Sequence, residues 1–123
     1  MTLETLSYIN SILSEAGINY SFARWNGEIA FPYWIGEYSE TDSIDEDGMS
    51  DADFILTGTT EESWTSLQEE KERIERLFGN RTTVLDSGLG VCIGFERALV
   101  VPTESERLKR IQINLSVKEW RNY

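Results

Sequence analysis

Acid–base, nucleophilic and metal chemistry each need particular side chains, and this chain supplies them unevenly. It holds 22 acidic residues, one cysteine and no histidine. Without imidazole there is no Ser–His or Cys–His triad, and the commonest zinc ligand is missing. Cys92 has no histidine to lower its pKa, so it is expected to be an inert small residue. As the single cysteine it cannot close an internal disulfide. Carboxylates are so plentiful that a pair is always available, and no spacing singles out a catalytic dyad. Gly88-Leu89-Gly90 and Gly94 look like pieces of a phosphate loop. They fall inside a hairpin pattern rather than between a strand and a helix, so the nucleotide reading fails its context. No enzyme activity and no cofactor are expected.

The acids are densest between residues 37 and 53, where Glu37, Glu40, Asp42, Asp45, Glu46, Asp47, Asp51 and Asp53 stand without a base. A calcium loop centred on Gly48 would use Asp45, Asp47 and Asp51. It would, however, put Ser43 at the first ligand position and Phe54 where a bidentate glutamate belongs. An EF-hand site is rejected, and weak divalent binding is the residual option. Like charges at this density repel, so an exposed, mobile loop over 39–52 is expected.

The net charge of -11 makes the chain a poor candidate for wrapping duplex DNA, whose affinity is mostly phosphate neutralisation. The charge is also polarised. Residues 1–70 carry 15 acids and one base, Arg24, whereas residues 71–123 carry 7 acids and 10 bases. An acidic surface on one copy facing a basic surface on the next would make a heterologous contact, the kind that closes rings. Membrane-spanning and secretory signatures are not seen, which predicts a cytosolic protein.

The elements that must position these groups read as one domain over 1–123. Arg110 to Lys118 alternates so that Ile111, Ile113, Leu115 and Val117 face one way and Gln112, Asn114, Ser116 and Lys118 the other. That period of two specifies a main strand with one buried face, and register is fixed because a one-residue slip would expose all four. Thr2 is expected to cap a helix whose stripe is Leu3, Leu6, Ile9, Leu13 and Ala16, ended by Gly17. Tyr20–Trp25 and Ile29–Tyr38 read as a hairpin around Asn26-Gly27, with Pro32 marking an edge or a strand start. Most of its aromatics are expected to pack in the core and some to lie outside one so small, beside a sheet edge, and Trp34 is taken as an interface candidate. A strand from Asp53 follows, and then a Thr59/Glu62 capping box. The second helix carries the stripe Trp64, Leu67, Ile74 and Phe78, with Glu69–Arg73 and Glu72–Arg76 as supporting pairs. Arg81–Asp86 and Val91–Val101 form a last hairpin, with a bulge or close approach at Gly94. The fold class is α+β, a mostly antiparallel sheet of about five to six strands covered on one face by two helices.

This order, with Ala30-Phe31-Pro32-Tyr33-Trp34-Ile35-Gly36-Glu37-Tyr38, a polar loop, Asp53-Phe54-Ile55-Leu56-Thr57-Gly58, a capped helix and a closing strand Ile111 to Trp120, resembles the tail-terminator and tail-completion proteins of long-tailed bacteriophages and prophages. The resemblance covers most of the chain and rests on loose motifs. It implies a two-helix, one-sheet fold in a homo-oligomeric ring, usually a hexamer. It also implies the tail tube protein and the head-completion or connector proteins as partners, and assembly in the host cytoplasm followed by residence in the virion. It carries over no catalytic residue. Membrane association and stable nucleic-acid binding are not expected, and an acidic lumen would repel passing DNA. By position, Trp34, Asp45, Glu46, Asp47, Asp51, Arg107, Lys109 and Arg110 are the interface candidates. The rivals are an acidic inhibitor or DNA mimic that blocks a DNA-binding enzyme, and a small enzyme without histidine.

Overall fold

The computed structural model describes residues 1–44 and 49–121. Two helices, α1 (Leu3–Glu15) and α2 (Trp64–Phe78), accompany six strands: β1 (Tyr20–Phe22), β2 (Tyr33–Ile44), β3 (Ser50–Thr60), β4 (Asn80–Val84), β5 (Leu89–Val100) and β6 (Lys109–Arg121). They form one sheet in the order β1-β2-β3-β6-β5-β4. The class is α+β, and the sheet is mixed: β1 runs parallel to β2 and every other pair is antiparallel.

β6 lies inside the sheet, paired with β3 on one side and β5 on the other. Ile111, Ile113, Leu115 and Val117 all turn to the buried face, opposite Gly58, Leu56, Phe54 and Ala52 of β3. Val91 and Ile93 extend that face through β5. Ile9, Ile12 and Leu13 of α1 and Leu67, Ile74 and Phe78 of α2 close over it, so both helices share this inner face and one core. Among the described residues the other face carries no helix. Its central positions are Gln112, Asn114, Ser116 and Lys118, the polar half of the same alternation.

Several expectations need correction. Asn26-Gly27 does not join a hairpin; β1 and β2 pair in parallel, Tyr20 opposite Trp34. Anchors outside the turn decide this. Ala23 takes a left-handed φ of 69° and leads the chain out of β1, while its N–H donates to Gly36 O at 2.8 Å. Asn19 holds the far end of the connection: its O accepts from Trp34 N at 2.8 Å, and its amide donates to Ala30 O and Pro32 O, each at 3.3 Å. Trp25 and Phe31 gather on Tyr33, with ring centroids 5.0 and 5.8 Å from it. Pro32, which cannot donate to a ladder, stands just before the strand begins at Tyr33.

The acidic loop is shorter than its charge suggested. Pairing of β2 with β3 continues through Ser39↔Asp53 and Glu40↔Ala52, and after a register shift Ile44 meets Ser50. Alternation in Ala52, Phe54 and Leu56 outweighs repulsion among Glu37, Glu40, Asp51 and Asp53, whose side chains are all exposed to solvent.

The caps also shift. Thr2 caps α1 as expected, its Oγ1 accepting from Thr5 N at 3.1 Å, and Gly17 ends it with φ +75°. Leu3 is 79% exposed, and Thr5 takes the inward place instead. Thr59 belongs to β3, opposite Arg110, so Ser63 caps α2 by accepting from Ser66 N at 3.1 Å. Trp64 at the start of α2 is exposed. Of the ion pairs on α2, Lys71–Glu75 forms, while Arg73 reaches across to Ala16 O at the end of α1. The β5 irregularity falls between Phe95 and Arg97 rather than at Gly94, which has no close neighbour. The close approaches lie elsewhere. A Cβ at Gly58 would stand 2.6 Å from the Trp34 ring, and Gly90 lies directly under Trp120.

Candidate functional site

The residues singled out from sequence do not form one site. Asp45, Glu46 and Asp47 lie outside the described residues. Asp51 is exposed on β3, opposite Lys118 on the helix-free face. Arg107 is exposed in the turn before β6; Lys109 and Arg110 begin that strand, where Arg110 Nε donates to Thr59 Oγ1 at 3.1 Å. Trp34 must be withdrawn as an interface residue. It is 0% exposed, because its ring fills the space above Gly58 and its Nε1 donates to Glu70 at 2.9 Å.

The geometry also changes what the charges can do. Asp51 pairs in register with Lys118 and Thr60 with Lys109, so the acidic hairpin and the Arg107–Arg110 stretch lie at opposite ends of the β3–β6 ladder. Nine residues at about 3.3 Å each separate them by roughly 30 Å along the strands. Contact between these two ends would stack copies along the strand direction. Glu61 and Glu62 follow Thr60, and Glu104 and Glu106 lie in the turn before Lys109, so that end is mixed in sign.

Two carboxylates that no sequence pattern singled out are set into the fold. Glu119 follows Val117 on the inner face of β6 and is 5% exposed. It accepts from Thr5 Oγ1 at 2.6 Å, Thr2 Oγ1 at 2.8 Å and Thr2 N at 3.2 Å, and so sits at the positive end of α1. Burial alone would push its carboxyl up, but the hydrogen bonds from Thr5 and Thr2 outweigh burial and hold it below the usual carboxylate range. Glu70 shows the reverse balance. Burial pushes it up, and the Trp34 hydrogen bond and Arg73 compensate only in part. Both groups serve the architecture: one docks α1 on β6, the other satisfies a buried indole N–H.

Among the described residues no group of three or more His, Cys, Asp or Glu is placed to hold a metal ion. The concavities are shallow. One lies against Ser39, Asp51, Asp53 and Ser116 near the acidic hairpin, and another between Trp64 of α2 and Val100 of β5. No described helix is long and apolar enough to cross a membrane.

The sheet borders are the most distinctive surface. β1 covers β2 only from Trp34 to Gly36, so the border of Glu37–Glu40 has no strand partner among the described residues. β4 covers β5 only from Gly90 to Gly94, so Phe95–Val100 is likewise unpaired on its border side. Apolar side chains gather along both borders. Phe22 and Tyr38 stack at 6.1 Å on one border, and Phe95 and Val100 are exposed on the other. An open strand edge is a template for another chain, which folded proteins usually cover or guard. This one has two, on opposite sides of one sheet.

Comparison with known proteins gives neither a matching family model nor a matching curated protein.

Proposed function

We propose that this chain is a structural subunit of a bacteriophage or prophage virion, a tail terminator or tail-completion protein that closes into a ring at the junction of tail and head. The observation that carries this reading is the pair of open sheet borders on opposite sides of the subunit, β2 beyond Gly36 and β5 beyond Gly94. Two different surfaces on opposite sides make a heterologous contact, and heterologous contacts close into rings when the rotation permits. The resemblance in element order supplies the setting, and the two-helix, one-sheet fold agrees with it.

The action is binding. A ring seated on the last layer of tail tube removes the surface on which the next layer would grow, and offers a new surface to the head connector. The subunit is made in the host cytoplasm and ends in the virion. The inhibitor reading is weaker, because a DNA mimic needs an unbroken row of carboxylates on a rigid face. On the helix-free face Glu37, Asp51 and Asp53 share the sheet with Arg97, Arg110 and Lys118.

The reading is tested by adding the purified chain to polymerising tail tube protein from the same phage. Growth is expected to halt, with the chain bound at one end of each tube. Unchanged tube growth and no bound chain would refute it.

A further inference from the structure

The two sheet borders are stepped, and the steps are complementary. In the rows of Ile111, Gln112 and Ile113, β1 stands outside β2 as Tyr20, Ser21 and Phe22, while β5 is itself the border as Val100, Leu99 and Ala98. In the rows of Ser116 and Val117 the reverse holds. There β4 stands outside β5 as Asn80 and Arg81, and β2 is the border as Ser39 and Glu40. One border projects where the other is set back, so the sheet is equally wide in both sets of rows.

We infer that a second copy of this chain fits its stepped border into that of the first: β1 of one copy lies beside β5 of the next, and that neighbour's β4 lies beside β2. This rests on the ring-forming reading above. β1, β2, β4 and β6 run one way, β3 and β5 the other. A rotation about an axis along the strands preserves these directions, and cyclic symmetry has no rise along its axis, so each row meets the same row. Tyr20, Ser21 and Phe22 then oppose Val100, Leu99 and Ala98 antiparallel, and Glu40 stands beside Arg81 in a parallel pair. β1 and the neighbour's β4 lie on one line, as two pieces of an interrupted strand. In the two rows between them, Glu37 and Tyr38 face Arg97 and Phe95 across the width of the missing strand.

The main-chain groups point the right way. Trp34 N donates to Asn19 O and Ala23 N to Gly36 O, so Ser21 bonds toward β2 and Tyr20 turns its N–H and O outward. Val101 N donates to Arg110 O, so Leu99 turns toward β6 and Val100 outward, which makes Tyr20 and Val100 a hydrogen-bonded pair. Trp34 and Gly36 bond to β1, so Glu40, on the same side of β2, also turns outward. Leu85 N donates to Leu89 O, so Arg81 bonds toward β5 while Asn80 and Thr82 turn outward. In a parallel ladder Glu40 N then donates to Asn80 O, and Glu40 O accepts from Thr82 N.

Side chains agree with the main chain. Phe22, Leu99 and Val100 are exposed in the single copy and are covered along the β1–β5 seam. Glu40 and Arg81 are exposed on the helix-covered face, where Ala52 and Ile93 share their row, and they become an ion pair on the β2–β4 seam. A charge on an open edge discourages pairing with an arbitrary strand, and the penalty disappears only where the opposite charge lies across.

Two sets of variants test this. Glu40→Arg and Arg81→Glu are each expected to weaken self-association by about tenfold or more per contact, since each sets like charges together. Glu40 also holds the Met1 ammonium, so rescue carries the test. An equimolar mixture of the two single variants should regain assembly, because alternation around the ring sets an arginine against a glutamate at every contact. A loosened α1 would not be rescued in this way. In a Cys92→Ser background, Ser21→Cys with Leu99→Cys should link neighbouring copies on oxidation. These two residues form a non-hydrogen-bonded pair, with Cα atoms at about 4.5 Å, within disulfide reach. A closed ring that tolerates both charge reversals and forms no such disulfide would overturn this contact and leave the ring standing. Disulfide-linked open chains that never close would support the contact and refute the ring. A chain that stays monomeric and yields no disulfide at any concentration would overturn both.

Discussion

Glu119 and Glu70 are both carboxylates drawn out of water, and their partners decide opposite outcomes. Glu119 accepts three hydrogen bonds at the start of α1, so its folded carboxyl titrates below the ordinary glutamate range. The stability it contributes is complete above the ordinary range and is lost as pH falls through the depressed folded value. Glu70 titrates above that range, so its charge is a penalty that grows as pH rises through the ordinary value and is full above the raised one. Glu119→Gln is expected to cost about 1–3 kcal/mol at neutral pH, the usual cost of disrupting buried hydrogen bonds to a charged group. It should also flatten the loss of stability on acidification. Glu70→Gln keeps an acceptor for the Trp34 indole and removes the charge, so it should leave stability unchanged or raise it. Urea denaturation across acidic and neutral pH measures both; equal losses from the two variants would contradict the roles assigned here. Neither residue stood out in the sequence. Glu119 continues an alternation whose inward positions were otherwise apolar, and Thr2 and Thr5 lie more than a hundred positions away in the chain. Trp34 was misplaced for the same kind of reason, since the glycine that makes room for it is on another strand.

Elements with strong internal periodicity were legible. β6 shows its buried face directly, and α2 shows its stripe in Leu67, Ile74 and Phe78. Elements fixed by distant anchors were not. Asn26-Gly27 is a good turn signal, but Asn19, Ala23 and the Trp25–Tyr33 packing set β2 beside β1 in parallel. The start of α2 was misjudged because two N-cap signals compete within five residues. Thr59 is committed to the β3 ladder by its pairing with Arg110, which leaves Ser63 to cap the helix. Ser63→Ala should therefore cost about 1 kcal/mol, the typical loss on removing an N-cap hydroxyl. Glu62→Ala should stay within about 0.5 kcal/mol, as for a surface substitution away from such features. Thermal denaturation of the two variants checks this, and a larger loss from Glu62→Ala would restore the Thr59/Glu62 capping box.

For the molecule as a whole, the sequence made the charge polarity visible but not its direction. Read along the chain, it suggested an acidic patch on one copy facing a basic patch on another. In the fold, Asp51 and the Arg107–Arg110 stretch lie at opposite ends of the strands. Contact between them would build a stack, so the lateral closure proposed above would have to use the two sheet borders. Those borders depend on where β1 and β4 stop pairing, which no local pattern in either strand announced.

The central claim, a subunit built to close on itself sideways, is tested most directly by native mass spectrometry of the unmodified chain over a range of protein and salt concentrations. A single closed oligomer of fixed subunit number, with a hexamer as the expected size, is the predicted result. A monomer under every condition, or an open series of sizes without a preferred end point, would contradict it.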